Sequence, residues 1–339
     1  MKLVSIKNPP NRFRPVAVEW DDEVPTATVE IFEETAKSIV TKNNSPDVGF
    51  EFSVNPYRGC THACTYCFAR NYHEFLGWGA GTDFETKIVA KTNAPQLLRR
   101  ELLQSSWRGD LLAFSFASDP YLPLEGKFEL TRQCLEICLE FRNPVTIVTK
   151  STLILRDLEI LQELHRTSDL TVFVSLPALD LEVSRATEPN APTPEARLTA
   201  IKKLTDAGIK VGLAIAPVIP GLTDVEIPEI LRRGAAAGVK FAFMSLLRLP
   251  GSVEDYFVQR LAERLPTKTD KVLNRIREVR GGKLNDSDFG ERMRGRGERW
   301  NVITQLFRLS CRRNKINSEP PEIKRNTFIR PGCQMSLFD

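Results

Sequence analysis

Between about Val48 and Leu246, short apolar runs alternate with amphipathic stretches. The runs Phe50–Asn55, Leu111–Ser115, Pro144–Thr149, Leu170–Leu176, Lys210–Ala216 and Lys240–Leu246 are mostly rich in Val, Ile, Leu or Phe. Near-continuous apolar runs of this length are the pattern of parallel strands covered on both faces. Between them, Ala94–Gln104, Thr131–Phe141, Leu155–Thr167, Thr193–Ala207 and Asp224–Ala237 carry apolar positions at helical spacing. Gly208 and Gly238 stand where the last two of these helices should stop. Such strand–helix alternation predicts an α/β domain, and right-handed crossovers favour a parallel sheet curling into a partial (β/α)6 TIM-type barrel. A doubly wound open sheet is the competing arrangement. In both, active groups belong at the C-terminal ends of the strands.

Two flanking segments differ in character. Residues 1–45 are Pro-rich, charged and weakly periodic, and predict an extended N-terminal arm before the barrel of residues 46–250. Residues 251–339 predict a small, mainly helical, basic extension. It contains a charged helical stretch, a Gly/Arg-rich loop from Arg292 to Arg299, a short helix through Phe307 and a tail ending at Asp339. No internal repeat is visible. At 339 residues the chain can bury a sizeable core as one domain or two. The N-terminus, Met1 to Pro10, lacks the apolar region of a signal peptide, and no run is long and apolar enough to span a membrane. Seven cysteines, an odd number without a paired pattern, argue against a secreted disulfide scaffold and for a reducing, cytoplasmic setting.

The net charge of +4 hides an asymmetry. Residues 260–339 hold 19 Lys and Arg against 10 Asp and Glu, while the rest of the chain is mildly acidic. That imbalance fits either a nucleic-acid partner or a clamp on acidic faces of the same protein; no nucleic-acid fold signature decides between them. Arg292, Arg294, Arg296 and Arg299 are the densest positive group. Interleaved glycines would let a backbone approach phosphates there, with Trp300 stacking on a base. A mobile loop of solvated arginines is an equal reading.

The chemistry concentrates in Cys60, Cys64 and Cys67, spaced C-x3-C-x2-C directly after the first predicted strand. Electron-transfer iron–sulfur clusters use four thiolates, and structural zinc sites are closed by four ligands. This chain offers three, with no second C-x2-C and only three His. Three thiolates on a cluster leave one iron open to a substrate or cofactor, which reads as reactive chemistry. A partial zinc site is the alternative; a zinc hydrolase is poorly served, since no H-E-x-x-H occurs.

With Tyr66 just before the third cysteine, the triad resembles that of the radical S-adenosylmethionine (SAM) superfamily. Within it the chain is most similar to the spore photoproduct lyase-related group. The cues are Asn55-Pro-Tyr-Arg-Gly-Cys60, Tyr66-Cys-Phe-Ala-Arg70, Ser118-Asp-Pro-Tyr121 and Ala216-Pro-Val-Ile-Pro-Gly-Leu-Thr-Asp224, spanning roughly residues 48–250. The resemblance implies a 4Fe–4S cluster on Cys60, Cys64 and Cys67, with SAM chelating the fourth iron. Reductive cleavage of SAM would give a 5′-deoxyadenosyl radical that abstracts hydrogen from an unknown substrate, nucleic acid among the candidates. It also implies an electron donor such as a flavodoxin or ferredoxin. A non-catalytic, redox-sensing or nucleic-acid-binding iron–sulfur protein is the alternative.

By the same resemblance, Lys150 would contact the carboxylate or ribose of SAM and Ser175 would make a further contact; by their place after the second strand, Ser118 and Asp119 are candidates to receive its ammonium. Tyr66 belongs to the same set. Glu188 and Arg197 are candidates for a pair near the ribose or, equally, for a helix-entry salt bridge. The Pro217–Gly221 turn is a candidate for a wall against adenine or, equally, for a rigid loop only. Two departures stand out. Spore photoproduct lyases carry a hydrogen-donating cysteine two residues before the serine aligned with Ser118, where this chain has Phe116. They also carry tyrosine after the third cluster cysteine, here Phe68. Thymine-dimer repair by that mechanism is therefore not implied. Elsewhere, Cys134 and Cys138, one helical turn apart, are expected in the core. Cys311 and Cys333 are isolated candidates for a hydrogen donor or resolving thiol. His62 is expected to serve loop polarity, and His73 packing ahead of substrate contact.

Overall fold

In the computed structural model, which describes residues 28–318 and 327–331, the strands assemble into two sheets. In chain order they are β1 (Glu30–Glu34), β2 (Val40–Lys42), β3 (Phe52–Val54), β4 (Tyr57–Arg58), β5 (Lys87–Lys91), β6 (Leu112–Phe114), β7 (Val145–Thr149), β8 (Leu170–Ser175), β9 (Val211–Val218) and β10 (Phe241–Leu246). The larger sheet runs β10-β9-β8-β7-β6-β3-β2. Every neighbouring pair from β3 to β10 is parallel, and β2 closes one edge antiparallel to β3. From β3 onward the spatial order follows the chain order without a reversal. A doubly wound sheet would need such a reversal. The strands expected from the apolar runs are β3 and β6–β10, and the architecture is the partial barrel.

Helices Ala94–Leu103, Leu130–Glu140, Leu158–Thr167, Pro194–Asp206 and Ile227–Ala236 connect these strands. Their apolar faces (Leu98, Leu135, Leu161, Ile201 and Leu231) share one core with Ile147, Val172, Leu213 and Ile215 of the sheet. Cys134 and Cys138 lie wholly inside that core, as expected. The opposite, concave face is less covered than the sequence suggested. In β7 and β8, Thr146, Val148, Thr171 and Phe173 are half-buried while their neighbours are fully buried. An incomplete barrel does not fill its lumen. Phe173 meets Phe241 and Phe243 there, with ring centroids 5.6 and 5.1 Å apart.

The smaller sheet, β1-β5-β4, has no counterpart in the sequence reading. Part of the expected arm forms β1, parallel to β5, and β2 on the main sheet. The sequence of β1, Glu-Ile-Phe-Glu-Glu, is largely exposed and lacks an apolar run. Residues 1–27 lie outside the described residues.

The extension wraps back onto the barrel with helices Val253–Arg264, Thr269–Val279 and Gly297–Arg313. The last runs to Arg313, past the Phe307 stop that was expected, because Ile303 and Cys311 continue its buried stripe. Trp300 is buried beneath Gly295, where an added Cβ would lie 2.8 Å from the indole. It is therefore a core residue, not a platform for a base. The Gly/Arg-rich loop winds around the buried Arg280, whose guanidinium donates to the carbonyls of Leu247 (2.6 Å), Arg292 (2.8 Å) and Arg294 (2.9 Å). Arg292 pairs with Asp47, Arg296 with Glu291 and Asp286, and Arg299 with Glu278. Much of the basic cluster is thus spent on internal carboxylates. At the outer edge of β10, Asn317 takes the place of a strand: its amide donates to Ala242 O (2.8 Å) and accepts from Ala242 N–H (2.9 Å). Among the described residues, no helix is long and apolar enough to cross a membrane.

Gly234, mid-helix, abuts β9: an added Cβ would collide with Leu213 Cδ1, which is fully buried. Alanine is intrinsically favoured over glycine in a helix, but overpacking of this contact outweighs that gain. Gly234→Ala is expected to lose about 1 kcal/mol of stability, with Leu213→Val restoring it in the double variant. A denaturation midpoint unchanged or raised in Gly234→Ala would refute the packing account.

Candidate active site

The cysteine loop begins with Gly59, at φ +78°. A Cβ there would lie 2.9 Å from Lys87 O and 3.0 Å from the His73 ring, so the position has no room for a side chain. Inside the loop, Ala63 N–H donates to Cys60 O (3.2 Å) and Cys67 N–H to Cys64 O (3.3 Å). The shorter bonds come from outside. Cys60 N–H donates to Phe84 O (2.9 Å) and Thr65 N–H to Thr187 O (2.8 Å). Asn190 Nδ2 donates to Thr61 O (3.0 Å), and Ser118 Oγ donates to Gly59 O (2.6 Å).

Sequence reasoning missed the main brace. Arg70, fully buried, donates from Nε to Cys64 O (2.9 Å) and from Nη1 to Ala80 O (2.9 Å) and Gly81 O (3.1 Å). Its Nη2 meets Glu85 Oε1 at 2.5 Å. Its guanidinium lies 4.1 Å from the Tyr256 ring centroid, and Tyr256 Oη donates to the same Glu85 oxygen at 2.6 Å. Tyr256 belongs to helix Val253–Arg264, so the C-terminal extension reaches the cysteine loop through Arg70. Arg70 was visible in the sequence only as a flank of the motif; Glu85 and Tyr256 carried no local signal.

All three cysteines are free thiols; Cys60 and Cys64 are buried, and Cys67 is half-buried. Burial pushes the Cys60 thiol well up and the Cys64 thiol up to about 12, with neighbouring sulfurs adding to both. Lys150 and Arg197 oppose this at Cys64. Thiols of this kind ionise on binding a metal. Among the described residues no trio of His, Cys, Asp or Glu stands at the spacing of single-ion ligands. The three cysteines are one loop's set of thiol donors, and their sulfurs influence one another electrostatically.

The strand ends bring several expected residues beside this loop. Lys150, after β7, places Nζ 3.7 Å from Glu188 Oε1 and 5.8 Å from the Tyr66 ring centroid. Glu188 also accepts from Tyr66 Oη and meets Arg197 Nη2 at 2.5 Å. Burial would raise the Glu188 carboxyl, but Arg197 and Lys150 hold it low. Burial would likewise strip the charge from Lys150, and the Cys64 sulfur and Glu188 hold it on. Arg197 donates to Ser175 O (3.0 Å), and Ser175 Oγ to Ala216 O (3.4 Å), tying β8 to β9 at the same end.

Asp119 accepts from Thr149 Oγ1 (2.6 Å), Tyr121 N–H (2.9 Å) and Lys150 N–H (2.8 Å), and His62 Nδ1 lies 3.4 Å away. These occupy the acceptor positions of a carboxylate. Burial opposes its charge, but His62 and the hydrogen bonds hold its pKa at about 2. Asp119 thus splices β6, β7 and the cysteine loop. His62 is its partner, more specific than the loop polarity expected. His73 packs against Phe84 and Trp78 and hydrogen-bonds Lys87 O (2.9 Å), a packing role. Phe116 and Ser115 both have positive φ (87° and 138°), and the Phe116 ring packs 4.3 Å from Phe50. Cys311 is buried beneath the last helix, and Cys333 lies outside the described residues.

Strand order, loop placement and buried charge together define an α/β-barrel enzyme with a thiol loop at the C-terminal ends of its strands. The chain belongs to the radical SAM superfamily, whose signature matches residues 54–234. It is 37% identical over 272 residues to an uncharacterised protein of Mycobacterium tuberculosis, covering 79% of each. It is 23% identical over 233 residues to a radical SAM Nα-GlyT isomerase of Pseudomonas phage M6, covering 68% of this chain and 46% of that one. Spore photoproduct lyase in complex with dinucleoside spore photoproduct has a similar fold, with TM-score 0.58 and 16% identity over 84% of this chain and 79% of that one. The cofactors of the superfamily are a 4Fe–4S cluster and SAM.

Arg70→Leu leaves Glu85 buried and unpaired and is expected to cost about 3–5 kcal/mol; Arg70→Leu with Glu85→Leu should cost less than the single change. Urea denaturation of both variants checks this, and a double variant no better than the single one would contradict it. A second outcome concerns pH. Burial holds the pKa of His73 down at about 4, below its ordinary 6.5. The unfolded chain therefore binds a proton between these values that the folded chain refuses, so stability falls as pH drops from 6.5 toward 4. His73→Phe should flatten that part of the acid slope by about 3 kcal/mol; an unaltered slope would show that other groups set it.

Proposed function

We propose that Cys60, Cys64 and Cys67 hold the 4Fe–4S cluster and that SAM lies between them and the ends of β6, β7 and β8. The observation that carries this reading is the buried cluster of Lys150, Glu188, Arg197 and Tyr66 against Cys64. A cation kept charged in a desolvated site is suited to a carboxylate ligand. In this reading Lys150 turns from Glu188 toward the SAM carboxylate, Ser118 and Ser175 offer hydroxyls, and Glu188 takes a ribose hydroxyl while Arg197 holds it in place. Asp119 positions the backbone around Lys150 and the loop, and serves the SAM ammonium through that frame. Tyr66 orients Glu188 and covers Cys64 from water. When bound, the cluster and SAM supply a 5′-deoxyadenosyl radical that removes hydrogen from a substrate. The protein's part is to fix orientation and to exclude water and oxygen.

The substrate we favour is a nucleoside or nucleic acid, on the support of the dinucleoside held by a protein of this fold. Phe116 lacks a transferable hydrogen of the kind a thiol offers, so the chemistry is not that lyase's repair step. The barrel of residues 46–250 houses the site, and residues 251–339 complete it through Tyr256 and the Arg280 loop. A cytoplasmic location and a flavodoxin or ferredoxin as reductant complete the proposal.

Anaerobic reconstitution with iron and sulfide, then dithionite and SAM, should release 5′-deoxyadenosine, and Cys64→Ala should release none. An intact reduced cluster that leaves SAM untouched would overturn the assignment. Lys150→Ala should retain its iron and bind SAM about 10–100-fold more weakly, the value of a charge-assisted hydrogen bond. Unchanged SAM affinity would remove Lys150 from the site.

A further inference from the structure

Arg248 follows β10 and is half-buried. Its guanidinium lies 5.6 Å from the ring centroid of Phe68, the residue after Cys67. Its Nε is buried without a hydrogen-bond partner, and Nη1 finds only the thioether of Met293, at 3.9 Å. Among the described residues, no carboxylate stands within ion-pair distance of it. Asp47 is the carboxylate whose charge reaches it, but that side chain is taken by Arg292 and by Gly290 N–H (2.7 Å). Arg292 adds a second positive charge nearby, and burial together with Arg292 works against the charge on Arg248. A guanidinium stays protonated regardless. Burying a charge is costly unless a counter-charge or a set of hydrogen bonds meets it. Elsewhere this chain meets that cost: Arg70 has Glu85, Arg197 has Glu188, and Arg280 has a ring of carbonyls. Arg248, half-buried where those three are buried, has neither, and its Nε is the atom left unmet.

The rim around it is open to solvent. Tyr72 is 44% exposed and Phe289 61% exposed, and Phe289 stacks on Arg292, 4.3 Å from ring centroid to guanidinium. Aromatic faces beside two guanidinium groups suit a ligand with a flat or apolar body and an anionic group. We propose that Arg248 receives an oxyanion of the substrate, a carboxylate or a phosphate, and so orients the substrate over Phe68 at the mouth of the barrel. This deepens the proposed function and rests on the cysteine loop being the reaction centre. Lys150, Ser175 and Glu188 then serve the cofactor, and Arg248 the substrate.

The test is calorimetric titration of the full-length, anaerobically reconstituted protein at low ionic strength, with inorganic phosphate and with acetate as probes. Each titration is run with and without S-adenosylhomocysteine. At least one anion should bind in the millimolar range, and the preferred one identifies the oxyanion. Arg248→Gln should weaken it about tenfold or more, Arg248→Lys less, and Arg232→Gln, an exposed helix pair with Glu229, not at all. The proposal is overturned if Arg248→Gln and wild type give the same isotherm, or if neither anion binds wild type. It is equally overturned if S-adenosylhomocysteine abolishes anion binding, since Arg248 would then belong to the cofactor. Thermal unfolding and iron content establish that each variant is folded; were Arg248→Gln to misfold, Arg248→Lys alone decides by whether affinity drops. A wild type that takes up no iron would sink the reading of the cysteine loop, while the isotherms still judge Arg248.

Discussion

The loop that presents the three thiols forms no helix or strand over residues 59–67, so its shape is imposed by its surroundings. The carbonyl of Cys64, held by the buried guanidinium of Arg70, is the contact on which the rest depends. Arg70 is anchored by Glu85 and stacked on Tyr256, which fixes the loop to a helix of the C-terminal extension. On the other flank, Thr187 and Asn190 hold Thr65 and Thr61. The loop is thus gripped between segments far apart in sequence. This arrangement suits a cofactor site, where misplacement by about 1 Å has a large effect on rate.

The sheet was legible because its strands are buried on the helix side and their helices repeat at regular intervals. The apolar runs contained β3, β6–β8 and β10, while β9 continues past its expected end at Ala216 through Pro217 to Val218, taking the first two residues of the expected turn. Gly208 and Gly238, both with positive φ, end their helices where expected. The smaller sheet was not legible. The residues of β1 face solvent and carry three glutamates in five positions, and β4 has two residues, too short to show a period. The cysteine spacing was visible because its chemistry is local. Glu85, Tyr256 and Arg280 were invisible because their roles arise only when distant segments meet.

Charge tells the same story. The excess of Lys and Arg in the last quarter looked like a footprint for a polyanion. The fold assigns Arg292, Arg296 and Arg299 to carboxylates and makes Arg280 the hub of a loop. Trp300, a candidate for stacking on bases, is core. A charge count cannot distinguish a cation aimed at solvent from one that fastens the chain to itself, because exposed and internal pairs have the same composition.

An open barrel ends in a strand whose outer edge would otherwise present bare amide and carbonyl groups. Such an edge is a template: any extended segment, from this chain or another, can add to it and propagate the sheet. Asn317 fills both backbone positions of Ala242 with one side chain, and Met293 O receives Leu246 N–H further along. The crescent is therefore finished without another strand. At these positions its rim is denied to strand addition and to the aggregation that follows from it.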